Sequence, residues 1–425
     1  MKKLKVILIG AGGRGKTYTD IMSESTDKFE VVGVAEPIED RREYIKNKHN
    51  VSEEYCFDTW EKILDVPKFA DVAIISTMDR MHYEPSIKAL ELGYDLLLEK
   101  PVAPTPEECV GIYKKAEECG RKIIVCHVLR YTEFFNGVKD IVDSGKLGKI
   151  MTVMHTEAVE NRHQSHSFVR GNWGNSQRSS TMLLQKSCHD LDILQWLLGK
   201  KCKKVQSFGF LSHFTEKNAP EGAPDYCIQG CPAADTCYYN AVKLYLEDEE
   251  NDWFRGAATG MVKPSNDDVK EALLNTQYGK CVYKCDNDVV DHQVVNMLFE
   301  DDLTVSFTMA AFNKGGRSLR IMGTDGEFTA DMESEKGVLF DFATRQETEI
   351  DLTKSKHGEG IQFGHGGGDN GIIVALYDYI TGRCSAKEVS EIGISAQNHM
   401  MVFAAEESRL NNTVVDVNDF MKKYY

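Results

Sequence analysis

The chain has 425 residues, 42% of them hydrophobic, which is enough for two or three domains with large buried cores. Its formal net charge of −16 disfavours binding to nucleic acid or to an anionic lipid surface. No apolar run approaches the roughly 20 residues that span a bilayer, so we expect a cytoplasmic protein that acts on a small molecule.

The 12 cysteines are spread along the whole chain, which favours a reducing compartment over a disulfide framework. The opening segment "MKKLKVILIGAGG" is too short and too interrupted by glycine for a signal peptide. It instead predicts a strand that starts close to the first residue.

That strand leads into a dinucleotide-binding fingerprint. Gly10, Gly12 and Gly15 form the pattern G-x-G-x-x-G, in which glycines permit a tight turn, close approach of a pyrophosphate and helix packing. The next strand, "FEVVGVAEP", ends at Glu36, 21 residues after Gly15, where a carboxylate bonds the adenosine ribose and repels a 2′-phosphate. The pattern therefore predicts NAD rather than NADP. The predicted contacts in this region are Gly10, Gly12, Gly13, Arg14, Gly15 and Glu36.

Strands and helices then alternate. "DVAIIST", "YDLLLEKP" and "KIIVCHV" read as buried strands, separated by the helices "HYEPSIKALELG" and "PEECVGIYKKAEECG". This order predicts a Rossmann-type, doubly wound parallel sheet over residues 1–127. Because such sheets bind ligands at the carboxyl ends of their strands, we predict further cofactor contacts there. These are Ser76, Thr77, His82, Glu99 and Lys100.

The tripeptide Glu99-Lys100-Pro101 follows the strand that would be fifth. A lysine that emerges from a buried parallel strand costs free energy unless it is paired or functional. Lys100 is therefore predicted to act at the edge of the cofactor. Pro101 fixes the backbone beyond it, in a bond that can be cis.

The segment "LLQKSCHDLDILQWLLG" (Leu183 to Gly199) predicts one helix that ends at a glycine cap. At helical spacing, Lys186 and His189 lie on one face, three residues apart. Such a pair is either structural or catalytic, and the segment alone leaves both interpretations open.

In this order, the fingerprint, "EKP" and the His-x-x-Asp helix resemble the Gfo/Idh/MocA oxidoreductases, which include glucose-fructose oxidoreductase and inositol dehydrogenase. The strings "HVLRYTEFF", "GKLGKI", "GTDGEF" and "AAEESR" extend this resemblance over nearly the whole chain. It implies an α/β protein with a Rossmann domain and, over residues 128–425, an α/β domain with a large, mostly antiparallel sheet. That sheet often forms the oligomer interface in this family, so a homodimer or homotetramer is expected.

The resemblance also implies catalytic roles. Lys100 matches the family lysine that hydrogen-bonds the reacting hydroxyl, and His189 matches the histidine that supports proton transfer. Many members carry an aspartate four residues before that histidine, but this position is Gln185, which cannot act as a base. Whether Lys100 and His189 act alone or with Lys186 stays open. The predicted catalytic residues are Lys100, His189 and Lys186.

Beyond Val128, "KIMTVMHTEAV" predicts the first strand of the second sheet. The segment "ENRHQSHSFVRGNWG" then predicts a loop whose planar donors and tryptophan suit a sugar, or merely a solvated loop. Later, Asp291-His292 opens a strand, and three glycines in "HGGGDNG" are expected to bring backbone close to a ligand or to precede a helix cap. The predicted substrate contacts are Arg170, Trp173, Gln185, His292, His365 and Asp369.

An insertion around residues 215–265 contains "CIQGCPAADTC". Cys227, Cys231 and Cys237 are spaced differently from the CxxC pairs of common zinc modules. A structural zinc or other metal, with a fourth ligand from another cysteine or a histidine, is one hypothesis. Buried thiols or a single disulfide are the others.

Together these features predict an NAD-dependent oxidoreductase that transfers hydride between nicotinamide and a secondary hydroxyl of a sugar, cyclitol or glycoside. Such chemistry needs a base poised near working pH, which His189 supplies, and a cation at the developing alkoxide, which Lys100 supplies. One alternative is a redox-cycling glycoside hydrolase or lyase that passes through a keto-glycoside. A second is a non-catalytic, NAD-binding regulatory protein.

Overall fold

The computed structural model describes residues 2–353 and 365–425, with the side chain of His365 outside this description. Its first sheet has six parallel strands in the order β3-β2-β1-β4-β5-β6. The order changes direction between β1 and β4, which is where doubly wound sheets bind ligands. The strands are β1 (Leu4–Ile9), β2 (Phe29–Ala35), β3 (Cys56–Phe57), β4 (Val72–Ile75), β5 (Asp95–Leu98) and β6 (Ile123–Val125).

Helices cover this sheet because its central strands are apolar on both faces, with all of β4 buried. They are α1 (Gly13–Ser23), α2 (Glu39–His49), α3 (Trp60–Asp65), α4 (Tyr83–Glu91) and α5 (Pro106–Cys119). The predicted Rossmann-type architecture is confirmed.

The second sheet has nine strands in the order β14-β13-β12-β11-β7-β10-β9-β8-β15. Only β7 and β10 pair in parallel, so the prediction of a mostly antiparallel sheet is confirmed. The strands are β7 (Ile150–Ala158), β8 (Cys202–Phe210), β9 (His292–Phe299), β10 (Thr304–Ala310), β11 (Gly316–Gly323), β12 (Gly326–Asp331), β13 (Lys336–Asp341), β14 (Glu347–Asp351) and β15 (Val415–Asp416).

One face of this sheet is buried under helices, and the other is open. On β7, Val153, His155 and Glu157 are buried, whereas Met154 between them is exposed. The remaining helices are α6 (Glu133–Asp143), α7 (Asn161–Ser165), α8 (Met182–Gln185), α9 (Cys188–Leu198), α10 (Asp252–Thr259), α11 (Asn266–Asn275), α12 (Gly368–Ile380), α13 (Ile392–Asn411) and α14 (Val417–Met421). No helix of the described residues is long and apolar enough to cross a membrane.

Helix α12 returns to the first sheet. Its residues Ile372 and Leu376 share a buried core with the strand residues Leu4 and Val6, and the Tyr377 hydroxyl donates to the Lys2 carbonyl at 2.9 Å. The two sheets therefore do not correspond to two independent stretches of chain. The domain boundary after residue 127 stays a prediction.

The insertion is longer than predicted. The chain leaves the sheet after Phe210 and rejoins it at His292, and the excursion contains α10 and α11. It has a small core of its own, which includes Tyr245, Phe254 and Leu273. The insertion is thus a folded unit rather than an extended surface loop.

Two local predictions were wrong. "ENRHQSHSFVRGNWG" is not a loop, because α7 is followed by a π-helical turn, His166–Arg170, and a 3-10 turn, Asn172–Gly174. The predicted helix from Leu183 to Gly199 is two helices, α8 and α9, which are separated at Lys186 and Ser187. The glycine cap is correct, since Gly199 ends α9 in the left-handed conformation.

Gly15 tests the packing of α1 on the sheet. A Cβ added there would lie 2.1 Å from the Gly10 carbonyl oxygen, so we expect Gly15→Ala to lower the free energy of unfolding by about 1–3 kcal/mol. In the described chain a Cβ on Gly13 meets nothing within 4 Å, so Gly13→Ala is the matched control and should not destabilise. Urea unfolding measures the stability of both variants. If Gly15→Ala were as stable as Gly13→Ala, the close packing of α1 on the sheet would be contradicted.

Candidate functional site

The fingerprint loop forms an open cradle at the start of α1. Gly10 has a φ of +90°, and a Cβ there would lie 2.6 Å from the Ser76 carbonyl oxygen. Gly12 precedes α1 without a side-chain cap, and a Cβ on it would approach only Arg41, at 3.8 Å. Among the described residues, the space beside Gly12 and Gly13 at the start of α1 is thus open, as a bound pyrophosphate requires.

Glu36 lies where the sequence predicts, directly after β2, and only 4% of it is exposed. Its carboxylate accepts hydrogen bonds from the Ala11 amide at 2.6 Å and from the Ile38 amide at 3.0 Å. The side chain thus ties the glycine loop to the end of β2. Its contact with a ribose stays a prediction.

Ser76, Thr77 and His82 connect the loops at the carboxyl ends of the strands. The Ser76 hydroxyl donates to the Gly10 carbonyl at 2.7 Å, and the Thr77 hydroxyl donates to the Met81 carbonyl at 2.9 Å. The two ring nitrogens of His82 lie 2.7 Å from the Pro101 oxygen and 3.1 Å from the Thr77 oxygen. The Lys100–Pro101 bond is cis. These contacts hold together the loops that follow β1, β4 and β5, where the sequence predicts cofactor contacts.

The partly exposed Arg14 forms an ion pair with the buried Glu99 at the start of α1. Arg14 Nε donates to Glu99 Oε1 at 3.0 Å, and the Tyr18 hydroxyl donates to the same oxygen. Burial opposes ionisation of Glu99, but Arg14 and Lys100 outweigh it and hold the pKa of this carboxyl below its ordinary value. Glu99 is therefore a fixed negative charge beside Lys100.

Asp369 also binds Arg14, at 2.5 Å from Nη2, and is 1% exposed. Its carboxylate thus lies beside Arg14 at the start of α1, and the predicted substrate contact of Asp369 stays a prediction. The neighbouring glycines approach protein backbone, since a Cβ on Gly368 would lie 2.3 Å from the Val128 oxygen. The side chain of His365, the other residue predicted in this loop, lies outside the described residues.

Lys100 joins the two halves of the site. Its ammonium donates to the backbone carbonyl of Gln185, at the end of α8, at 2.7 Å. Its amide donates to Glu99 Oε2 at 2.9 Å. Gln185 is 3% exposed, so here it contributes a backbone oxygen to Lys100.

His189 lies in a cluster of three buried histidines. Its ring centroid is 5.7 Å from that of His127, which is 5.6 Å from that of His399. The ring of His399 accepts a hydrogen bond from the Val102 amide at 3.0 Å. Burial lowers the pKa of His127 to about 4 and that of His399 to about 3. These two rings are therefore neutral at physiological pH.

A buried aspartate supports this cluster. Asp192 accepts hydrogen bonds from Arg130 Nε and Nη2, both at 2.6 Å, and another from Asn398. Burial opposes its ionisation, but Arg130 dominates and the pKa of Asp192 lies below its ordinary value. The sequence analysis missed these partners, although Arg130 and Asp192 stand in "HVLRYTEFF" and "HDLDILQWLLG".

Lys186 belongs to a second buried charge network. Its ammonium lies 3.2 Å from Glu157 Oε1 on β7. Arg317 on β11 contacts Glu157 at 2.5 Å and Asp190 at 2.8 Å, and Asp190 also bonds His155 at 2.9 Å. Burial lowers the pKa of Lys186, and Glu157 offsets only part of this effect. Lys186 is thus a buried amine that loses its proton more easily than an exposed lysine.

Two further predicted substrate residues, Trp173 and Arg170, lie in different parts of the structure. Trp173 Nε1 donates to Asp79 Oδ1, just beyond β4, at 3.3 Å, so its ring lies at the junction of the two sheets. Arg170 is 1% exposed and donates to the carbonyls of Lys280 and Tyr239 at 2.8 and 2.6 Å. Its guanidinium therefore holds the insertion together, which does not favour the predicted substrate contact.

The position of His292 does not favour its predicted substrate contact, which stays a prediction. On β9, Gln293 faces the helix side of the sheet and donates to Glu406 of α13 at 2.7 Å. Side chains alternate along a strand, so His292 lies on the opposite, open face. There its ring bonds Asp291 at 2.7 Å.

Cys227, Cys231 and Cys237 line one small cavity together with Cys281 and Arg170. All four thiols are free. Within residues 2–353 and 365–425, no three His, Cys, Asp or Glu side chains are placed to hold a metal ion. A structural zinc thus has no preformed ligand set in the described chain and stays a prediction.

The neutral histidines predict how stability depends on pH. Neither ring nitrogen of His127 has a hydrogen-bond partner among the described residues, and its pKa of about 4 lies below the unfolded value of 6.5. The unfolded chain therefore binds the extra proton first as the pH falls. We expect His127→Phe to lose about 2 kcal/mol less stability than the unmodified protein between pH 7 and pH 5. Urea unfolding at both pH values measures this, and equal losses would contradict a neutral His127.

Comparison with known proteins identifies related sequences for most of the chain. The Gfo/Idh/MocA family model for an NAD-binding Rossmann fold matches residues 4–127, and the companion model for the C-terminal α/β domain matches residues 139–409. The putative oxidoreductase YteT of Bacillus subtilis (strain 168) is 24% identical over 338 residues, which are 76% of each chain. The 2,7-anhydro-N-acetylneuraminate hydratase of Escherichia coli (strain K12) is 31% identical over 147 residues, which are 33% of this chain and 37% of that protein.

A solved structure supports the same fold. An inositol dehydrogenase homolog from Azotobacter vinelandii, complexed with NADH and myo-inositol, aligns with a TM-score of 0.67 at 13% identity, over 98% of both chains. Since the two family models together match most of the sequence, this chain belongs to the Gfo/Idh/MocA oxidoreductase family, with an NAD-binding Rossmann fold at its N-terminus.

Proposed function

We propose that the protein is an NAD-dependent oxidoreductase that transfers hydride between nicotinamide and a secondary hydroxyl of a sugar, cyclitol or glycoside. The position of Lys100 carries this proposal. It leaves β5 next to the Glu99–Arg14 pair and reaches Gln185 of the second domain, next to the helix that carries His189. A similar structure holds NADH and myo-inositol, which supports a polyol substrate.

The residues that would hold NAD are those of the cradle. The open space beside Gly12 and Gly13 suits the pyrophosphate, and Glu36 suits the adenosine ribose. When bound, NAD supplies the acceptor for the two electrons that leave the carbinol carbon.

In this proposal, Lys100 binds the substrate oxygen. An ammonium has three donors, and one of them is directed to the Gln185 carbonyl. We assign a second donor to the reacting hydroxyl, where the positive charge stabilises the developing alkoxide. On the opposite side, the carboxylate of Glu99 accepts a hydrogen bond from the backbone amide of Lys100 and so fixes this residue.

His189 is the proposed acceptor of the hydroxyl proton, and Lys186 is the alternative. His189 packs edge-on against the neutral ring of His127, with the Asp192–Arg130 pair behind it. Lys186 has the lowered pKa that a lysine base requires, and Glu157 lies next to it. An amide side chain such as that of Gln185 cannot act as a base near neutral pH. The aspartate that many family members carry therefore has no equivalent at position 185.

A redox-cycling enzyme is the second candidate. In that reaction a hydroxyl is oxidised to a ketone, and the C–H beside the ketone becomes acidic. Loss of that proton expels the aglycone by elimination, water adds to the resulting double bond in a hydrolase but not in a lyase, and the hydride then returns to the ketone carbon. The relative named as a hydratase favours this candidate, because hydration involves no net oxidation. A purely regulatory, NAD-binding protein would leave the buried lysines and the histidine cluster without a role.

The open face of the nine-stranded sheet supports the proposal of a homodimer or homotetramer. Phe208, Phe210, Met154 and Val294 are exposed on this face, and Phe210 is 59% exposed. An apolar surface of this kind is typical of subunit interfaces.

Replacing Lys100 tests the assignment. We expect Lys100→Met to lower kcat/KM about a thousandfold while the Kd for NADH changes only a few-fold, because the lost interaction forms mainly in the transition state. Lys122→Met is the matched control, since Lys122 also donates to a carbonyl, that of Tyr379 at 2.6 Å, but at the amino-terminal end of β6.

Activity is measured on a panel of sugars, inositols and aryl glycosides. Two signals are followed for each compound: the absorbance of NADH and the release of product. Accumulation of NADH over many turnovers establishes a dehydrogenase. Product release that requires NAD but yields no net NADH establishes the redox-cycling enzyme. If Lys100→Met retained full activity in either assay, the assignment of Lys100 would be wrong.

A further inference from the structure

Helix α10 and the turn that follows it connect the insertion to the nucleotide-binding loops. We call residues 252–262 the strap. At its end, Arg41 Nε donates to the Gly260 carbonyl at 2.7 Å, and the Val262 amide donates to Asp40 Oδ2 at 2.8 Å. Asp40 and Arg41 lie in the first turn of α2, directly after Glu36, the residue that marks the adenosine end of the cradle.

Arg41 lies between the strap and the glycine loop. Its Nη1 is 3.8 Å from the position of a Cβ on Gly12, and its Nη2 is 3.8 Å from that of a Cβ on Gly260. The guanidinium therefore adjoins both the pyrophosphate cradle and the strap. Ile38 approaches Gly260 as well, at 3.4 Å from the same Cβ position.

The other end of the strap lies against two histidines of the segment that follows β7. The Trp253 ring centroid is 5.0 Å from that of His163 and 5.2 Å from that of His166. The His163 ring centroid is 5.7 Å from that of Phe168, which is 5.9 Å from that of Trp173, the residue at the junction of the two sheets. Trp253 itself is 53% exposed, although its neighbour Phe254 is buried in the core of the insertion.

These two ends set the direction of the strap. The eight residues of α10 span about 12 Å, from the rings of His163 and His166 to the Gly260 turn beside Arg41. A dinucleotide in the cradle would have its adenosine near Glu36, so the end of the strap that contacts Asp40 and Arg41 would lie at the adenosine half.

We propose that the strap closes the dinucleotide-binding cleft and holds the cofactor between turnovers. This inference rests on the proposed function and deepens it. A cofactor that leaves slowly must recover its oxidation state on the enzyme, so the strap favours the redox-cycling candidate over a dehydrogenase that releases NADH in each turnover.

The Asp40 contact provides the test. Asp40→Ala removes the acceptor for the Val262 amide, and we expect NADH to dissociate about fivefold faster. Loss of a negative charge near an anionic pyrophosphate would, by itself, slow dissociation, so faster release has the opposite sign to the charge effect. The rate is measured by stopped flow, as the fall in NADH fluorescence when NADH-loaded protein is mixed with excess NAD.

Glu39→Ala is the matched control. Glu39 is also an exposed acid in the first turn of α2, and among the described residues it makes no hydrogen bond or ion pair with the strap. Its variant should release NADH at the unmodified rate. Equal rates in the unmodified protein and in both variants would overturn the strap but leave the proposed function intact, whereas a protein that binds no NADH would overturn both.

Hydrogen exchange of the unmodified protein gives a readout that needs no variant. We expect NADH to slow exchange of the amides of residues 252–262, together with those of the glycine loop. Protection of the glycine loop without any change in the strap would contradict closure.

Discussion

The hydrogen bond from the Lys100 ammonium to the Gln185 carbonyl is the constraint on which the site depends. It links the carboxyl end of β5 in the parallel sheet to the end of α8 in the second domain. Glu99, paired with Arg14, fixes the lysine from the side of the cofactor cradle. The cation is thereby held where the two halves of the protein meet, which is where the proposed hydride transfer would bring substrate and nicotinamide together.

The polar groups around Lys100 are arranged so that buried charges are compensated. Asp192 is matched by Arg130, and Glu157 by Lys186 and Arg317, while His127 and His399 remain neutral. Unpaired charges in such a place would cost several kcal/mol each. In the proposed mechanism, such a region of compensated charges lets the Lys100 ammonium act strongly on a substrate oxygen.

Local patterns in the sequence predicted the first sheet, Glu36, Lys100 and the cap at Gly199, because strand, turn and helix signals are contiguous there. The partners of those residues come from distant segments. Arg317 and Asn398 contact α9, and Glu157 contacts Lys186 just before it, only through the second sheet and α13. No short-range periodicity encodes such contacts. Arg170 and Asp369 looked like ligand contacts because polar residues in apparent loops resemble a site, whereas tertiary packing buries both.

Transfer of an isotope from substrate to cofactor tests the central claim most directly. The protein is incubated with NAD and with sugars, cyclitols or glycosides that carry deuterium on the carbinol carbon, and the cofactor is then analysed by mass spectrometry. The account predicts deuterium in the nicotinamide for one substrate class, whether or not NADH accumulates, and its loss in Lys100→Met. If NAD binds but acquires no deuterium from any of these classes, the account of Lys100 as part of a hydride-transfer site is contradicted.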